Sequence, residues 1–231
     1  MKTLGMIGGV GPESTIDYYR LIIAEYQKQR PDGSYPPIII NSVNLTKMVR
    51  LLEANELAGL ATALAEEVGK LAKAGADFGI LSANTPHIVF DEISRQSPIP
   101  LISILEVTCK EARSLHLEKL GLLGSRFTMQ AKFFPETFAR AGMSIVVPNA
   151  NEQTYIHDRY MGELVKGVFL PETRSGLLNI VDRMQRQQGI QGLILGGTEL
   201  PLILRDIPER DIPFLDTAAI HVKAAVAEML S

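Results

Sequence analysis

The chain has one cysteine, Cys109. That excludes an internal disulfide and any cysteine-based metal cluster. Four histidines, His87, His116, His157 and His221, show no tight ligand spacing, so no metal is expected. Apolar runs nowhere approach the roughly 20 residues of a membrane-crossing helix, so no membrane partner is expected. No basic stripe appears and the net charge is −3, which argues against nucleic acid as a partner. The start, Met1-Lys2-Thr3-Leu4-Gly5, lacks a long apolar signal region and leads straight into a strand pattern, so a cytoplasmic location is expected. What remains is 231 residues, 46% hydrophobic, enough for two small lobes or one large domain.

What is present nearly repeats itself. Gly79-Ile80-Leu81-Ser82-Ala83-Asn84-Thr85 resembles Gly192-Leu193-Ile194-Leu195-Gly196-Gly197-Thr198, at an offset of 113 judged by Thr85 and Thr198. Ile99-Pro100-Leu101 and Ile212-Pro213-Phe214 share that offset. Leu4-Gly5-Met6-Ile7-Gly8 and Leu120-Gly121-Leu122-Leu123-Gly124 are 116 apart. Two similar lobes would thus present equivalent strand ends, each followed by a threonine-bearing loop.

Short apolar runs alternate with longer segments of helical period. Strands are predicted at 3–7, 38–42, 78–81, 101–103, 120–123, 144–147, 193–195 and 214–216. Helices are predicted at 12–28, 56–74, 105–115, 131–141, 152–168, 172–187 and 217–230. Such alternation predicts an α/β fold with parallel sheets covered by helices. Prolines mark the places where the chain changes lobe: Ser97-Pro98-Ile99-Pro100, and the stretch from Ile207-Pro208 to Ile212-Pro213. Cys109 lies in a helical pattern and reads as a packed core residue.

The loop Gly8-Gly9-Val10-Gly11-Pro12-Glu13-Ser14-Thr15 follows the first strand and opens a helix. Gly9 and Gly11 allow a backbone to approach an anion, and a helix start offers free N–H groups. A dinucleotide cradle would need a third glycine where Ser14 stands and an acidic residue after the second strand, where Asn41-Ser42-Val43-Asn44 stands. Walker A spacing is also missing, so the reading is a carboxylate or phosphate cradle, or a plain tight turn. Asn84 and Thr85, like Thr198, sit at helix entries and could cap the helix or bind an anion. His87 and Glu199 are candidate proton-transfer groups beside them, although Glu199 could instead complement a helix dipole. Arg50 and Lys166 are isolated cations, in Lys47-Met48-Val49-Arg50 and Glu163-Leu164-Val165-Lys166.

Together these residues resemble the aspartate/glutamate racemase family, the cofactor-independent amino-acid racemases. The resemblance rests on Gly8-Gly9-x-Gly11-x-Glu13-Ser14-Thr15, Asn84-Thr85-x-His87, Gly124-x-x-x-Thr128-Met129, Gly196-x-Thr198-Glu199 and Phe214-Leu215-Asp216-Thr217-x-x-Ile220-His221. It implies two pseudo-symmetric α/β lobes, each a parallel sheet flanked by helices, with the active site in the cleft between them. One lobe would be 1–97 plus 212–231, the other 98–211. It implies α-proton transfer on a small acidic amino acid, with no cofactor. Asn84, Thr85, Thr128 and Thr198 resemble the family's α-carboxylate contacts, with the loop of Gly9 and Gly11 as one wall. Arg50 and Lys166 lie near positions that hold the side-chain carboxylate in some members. The chain departs from the family at its two acid/base positions. Ala83 stands where the family carries cysteine or threonine, and Gly197 where it carries cysteine. Neither side chain can move a proton. A racemase with substitute groups, a carboxylate-binding homologue without turnover, and a related lyase or decarboxylase are all consistent with this departure. A homodimer is left open.

Overall fold

The computed structural model describes residues 1–204 and 210–231; Ile207 and Pro208 of the second proline segment fall outside them. The chain divides into two units, Met1–Val107 with Ala218–Ser231, and Thr108–Thr217. The first holds β1 (Leu4–Gly8), α1 (Pro12–Gln29), β2 (Ile38–Ser42), α2 (Leu45–Glu53), α3 (Leu57–Lys73), β3 (Phe78–Leu81) and α4 (Phe90–Gln96). Helix α5 (Ile104–Ser114) straddles the division and contains the buried Cys109. The second unit holds β4 (Lys119–Leu123), α6 (Arg126–Gln130), α7 (Phe133–Ala139), β5 (Ser144–Val146), α8 (Ala150–Gly162), α9 (Pro171–Arg183), β6 (Gly192–Leu195), α10 (Leu200–Leu204) and β7 (Phe214–Asp216). Helix α11 (Thr217–Leu230) then returns the chain to the first unit.

Both sheets are parallel, in the orders β2-β1-β3 and β5-β4-β6-β7. A central strand buried on both faces needs apolar side chains in both directions. In β1, Leu4 and Met6 join Tyr18 and Ile22 of α1 and Val222 and Val226 of α11. Ile7 points the other way, into the cluster of Leu60, Leu64 and Val68 from α3. The second unit has its own core, in which Leu193 and Leu195 pack with Ile156, Leu177 and Val181. Each such fully buried side chain stabilises its unit by about 1.5–3 kcal/mol.

The strand register refines the internal repeat. Leu4 pairs with Phe78 and Leu120 with Gly192, so the third strand of each unit is related by 114 residues, not the 113 suggested by the threonines. Carried into the following loops, this register makes Ala83 equivalent to Gly197, Asn84 to Thr198 and Thr85 to Glu199. The threonine match was therefore one residue out of step.

The chain changes unit later than its prolines suggested, at 107/108 and 217/218 in place of 97/98 and 211/212. The reason is hydrogen bonding. Gly79 N–H donates to Pro100 O (2.8 Å) and Ile102 N–H to Gly79 O (3.0 Å), which keeps the first proline segment on the edge of β3. The predicted strand 101–103 shrinks to the single bridge between Gly79 and Leu101. Likewise Leu193 N–H donates to Pro213 O (2.9 Å), and β7 stays on the second sheet. The segment 212–217 expected in the first unit thus belongs to the second. His221, on α11, ties the layers of the first unit together. Its Nε2–H donates to Ile102 O at 2.9 Å, and its Nδ1 accepts from the Tyr18 hydroxyl at 3.0 Å. No helix among the described residues is long and apolar enough to cross a membrane.

Candidate functional site

Gly9, Gly11, Ala83, Asn84 and residues 197–199 fall at the C-terminal ends of β1, β3 and β6, the usual place for ligands in open parallel sheets, while Thr128, Arg50 and Lys166 lie on other segments. In the first unit, Gly9 and Gly11 adopt φ of 78° and 125°. A β-carbon at Gly9 would also lie 2.7 Å from Val43 N and from Ser42 Oγ, so only glycine fits. The loop is braced from within. Gly9 N–H donates to Thr15 Oγ1 (2.8 Å), and that hydroxyl donates to Gly11 O (3.0 Å). Ser14 Oγ donates to Ser82 O (2.7 Å), while Ser82 N–H and Oγ–H both donate to Ile7 O (3.0 Å). These bonds hold the glycine loop against the loop after β3. Helix α1 begins without a side-chain cap.

Asn84 is buried and Thr85 half-buried at the start of a 3-10 turn, Thr85–Val89. The Asn84 side chain does not cap that turn. His87 lies in it, 3% exposed. The Ile104 N–H donates to His87 Nε2 (3.2 Å), which fixes the tautomer, and Nδ1–H donates to Ala83 O (3.0 Å). The ring also stacks on Phe90, 4.8 Å between centroids. Burial, and secondarily His221, lower its pKa to about 3. Both nitrogens are committed to the backbone and the ring stays neutral. His87 braces the loop bearing Ala83 and is not placed as the proton donor its position suggested. Arg50 is exposed on α2.

In the second unit the loops after β4 and β6 meet in the same way. Gly196 N–H donates to Leu123 O (2.7 Å), the counterpart of the bond from Ser82 to Ile7. Thr128, fully buried on α6, packs here; its backbone N–H donates to the Ser125 hydroxyl (3.4 Å) and the two hydroxyls lie 3.3 Å apart. Lys166 is exposed, in a 3-10 turn after α8.

The next residues hold a group that no motif announced. Gly197 has no left-handed φ, so its backbone would accept a side chain; the space would not. A β-carbon there would lie 2.7 Å from the Tyr160 hydroxyl and 2.8 Å from Cζ of the same ring. Tyr160 fills the volume that a residue-197 side chain would use. Its hydroxyl donates to Glu199 Oε2, and the Thr198 hydroxyl donates to the same oxygen at 3.2 Å. Tyr160 is 8% exposed, and Thr198 and Glu199 are 2% exposed. Burial, then the Glu199 carboxylate, push the phenol pKa well above its ordinary range. The Glu199 backbone N–H and the Thr198 hydroxyl pull it the other way.

Helix α8 carries Tyr160 to this point and is firmly seated. Asn149 and Glu152 form a reciprocal cap at its start, with bonds of 3.1 and 3.0 Å. Glu152 also accepts from both Nε and Nη2 of Arg183 on α9, at 2.5 and 2.6 Å. Ile156 and Tyr160 face the core between them. Sequence spacing alone could not connect Tyr160 with Gly197. A glycine where a side chain is expected was the usable signal, because the vacated volume must be filled.

The family model described as Asp/Glu/Hydantoin racemase matches residues 7–225. The chain is 24% identical over 232 residues to the "Broad specificity amino-acid racemase RacX" of Bacillus subtilis (strain 168), covering 99% of this chain and 98% of that protein. A crystal structure of an aspartate racemase homologue from Pyrococcus horikoshii OT3 superposes with a TM-score of 0.84 at 31% identity, covering 100% of both chains. That of a candidate Asp/Glu racemase from Yersinia pestis does so at 0.89 and 30%, again covering 100% of both.

Two predictions arise here. First, His87 and His221 stay neutral when folded, with pKa values lowered from 6.5 to about 3 and about 4 by burial. Below pH 6.5 the unfolded chain takes up protons that the folded rings refuse. Stability is therefore full above that pH and falls as pH drops toward 4, by about 2 kcal/mol per histidine at pH 5. Long-range ¹H–¹⁵N spectra at pH 6 should show His87 as the Nδ1–H and His221 as the Nε2–H tautomer; a protonated His87 at that pH would contradict the assignment. Second, Gly197→Ala should destabilise by about 1–3 kcal/mol through overpacking against Tyr160. In a urea-unfolding double-mutant cycle, the same change in a Tyr160→Ala background should cost much less. Additive effects would show that the two positions do not share this space.

Proposed function

The chain belongs to the Asp/Glu/hydantoin racemase family, and we propose that it binds a small acidic amino acid and acts on the α-proton without a cofactor, racemising slowly at best. The observation that carries this reading is the pair of equivalent positions Ala83 and Gly197. Both lack a proton-bearing side chain, and the space at Gly197 is taken by Tyr160. In this reading Asn84, Thr85, Thr128 and Thr198 hold the α-carboxylate, and the loop of Gly9 and Gly11 lines one wall. Arg50 and Lys166 serve the side-chain carboxylate. The α-proton of an amino acid is very weakly acidic, and each positioned acid or base contributes about 10²–10⁴-fold. With both customary groups replaced, inversion loses its opposed pair. The breadth named for the Bacillus subtilis relative supports an amino acid as ligand without singling one out. The proposal includes a cytoplasmic location.

A second reading follows from the same replacements: a protein that delivers or removes one proton on one side, as a lyase or decarboxylase does. With Ala83 and Gly197 both lacking a proton-bearing side chain, one-sided chemistry demands less of the chain than inversion does.

Isothermal calorimetry with L- and D-aspartate and glutamate should show binding. Thr85→Val and Thr198→Val should each weaken it by about 1.5–3 kcal/mol, the value of hydrogen bonds to a charged group. Unchanged affinity in both variants would remove the carboxylate assignment. Chiral chromatography of the same four amino acids should show slow inversion or none; fast inversion of either would overturn the reading of Ala83 and Gly197.

A further inference from the structure

We propose that Tyr160 and Glu199 form the acid/base group of the second unit, with the phenol standing where the side chain of residue 197 would otherwise stand. This rests on the proposed binding of an amino acid. The geometry makes the case. The Tyr160 oxygen lies 2.7 Å from the position of a residue-197 β-carbon, about one and a half bond lengths of a C–S bond away. It therefore lies close to the space into which a side chain at 197 would project. It is adjacent to Thr198, one of the proposed carboxylate contacts, whose hydroxyl shares Glu199 Oε2.

The pair also has the chemistry. A phenol that donates to a carboxylate can pass its own proton to Glu199 while its oxygen accepts one from carbon. The Cα–H bond of the amino acid breaks and a Tyr160 O–H bond forms. The original Tyr160 proton moves to Glu199 Oε2, and the electron pair left on Cα is spread into the α-carboxylate. Once the new Tyr160 proton has exchanged with solvent, reversal delivers a solvent proton to the same face of Cα. Charge and atoms balance without any other reactant. Burial and the Glu199 carboxylate keep the phenol protonated at rest, so its oxygen accepts a proton from carbon only as its own proton passes to Glu199. A single group removes and returns the proton on one face of Cα, so it produces exchange with retained configuration rather than inversion.

The test uses the full chain in D₂O with L- and D-aspartate and glutamate, followed for hours by ¹H NMR at Cα and by chiral chromatography. Deuterium should enter Cα of at least one of them with its configuration kept. Tyr160→Phe preserves the ring and the filled volume but removes the oxygen. It should slow exchange by about 10²-fold or more, while calorimetric affinity stays within about threefold and the urea midpoint shows a folded protein. Glu199→Gln, which keeps the shape but cannot accept the proton, should do the same. Two results would overturn the proposal alone: binding by the unaltered chain with no exchange, or exchange by a folded Tyr160→Phe at the original rate. Failure to bind any of the four would overturn the amino-acid reading of the site as well.

Discussion

The site of the second unit depends on one steric fact: Gly197 and Tyr160 share a single side chain's worth of space. The backbone of Gly197 is ordinary, so the glycine is not there for its torsion angles. It is there because the Tyr160 ring occupies the volume. Helix α8 must deliver that ring, and its reciprocal cap and the Glu152–Arg183 bonds hold it in place. Glu199 then tethers the phenol, and Thr198 shares the tether. A buried carboxylate and a buried phenol would each be costly alone; as a hydrogen-bonded pair they are tolerated.

The first unit solves the corresponding problem differently. Around Ala83 the polar groups are bonded to the backbone. Ser14 and Ser82 join the glycine loop to the ends of β1 and β3, and His87 joins the Ala83 carbonyl to the start of α5. Its imidazole is neutral, stacked and fully engaged. The two units thus share strand order and backbone closure but differ in what lies at the equivalent positions. One offers a polar pair and the other a methyl group.

Much of this was legible in the sequence, for reasons that can be named. The strands 38–42, 78–81 and 214–216 and the helix 217–230 appear with the predicted bounds, because dense apolar runs in parallel sheets leave little choice of register. Short helices were missed. The α2 helix depends on Asn44, whose side chain caps it by accepting from Thr46 and Lys47, a local signal hidden behind a strand end. The predicted helix 131–141 shortens to α7, the separate α6 before it was not predicted, and 152–168 ends at Gly162 before a separate 3-10 turn closed by Gly167 at φ 73°. The matching letters Thr85 and Thr198 give a repeat offset one residue short of the one that strand pairing sets. The proline segments predict crossing points, yet their carbonyls accept from β3 and β6, and the crossings come in the helices that follow. Tyr160 was invisible because its role depends on a residue 37 positions away, from 160 to 197, and on an absence there.

Where the Tyr160 oxygen lies when an amino acid is bound decides whether it can act on Cα. A crystal structure of the chain with D- or L-aspartate would measure this directly. The account predicts the Tyr160 oxygen still bonded to Glu199 and within about 3–3.5 Å of the ligand Cα, the range of a reactive contact. A bound ligand whose Cα is far from that oxygen, or a Tyr160 ring displaced from the space beside Gly197, would contradict it.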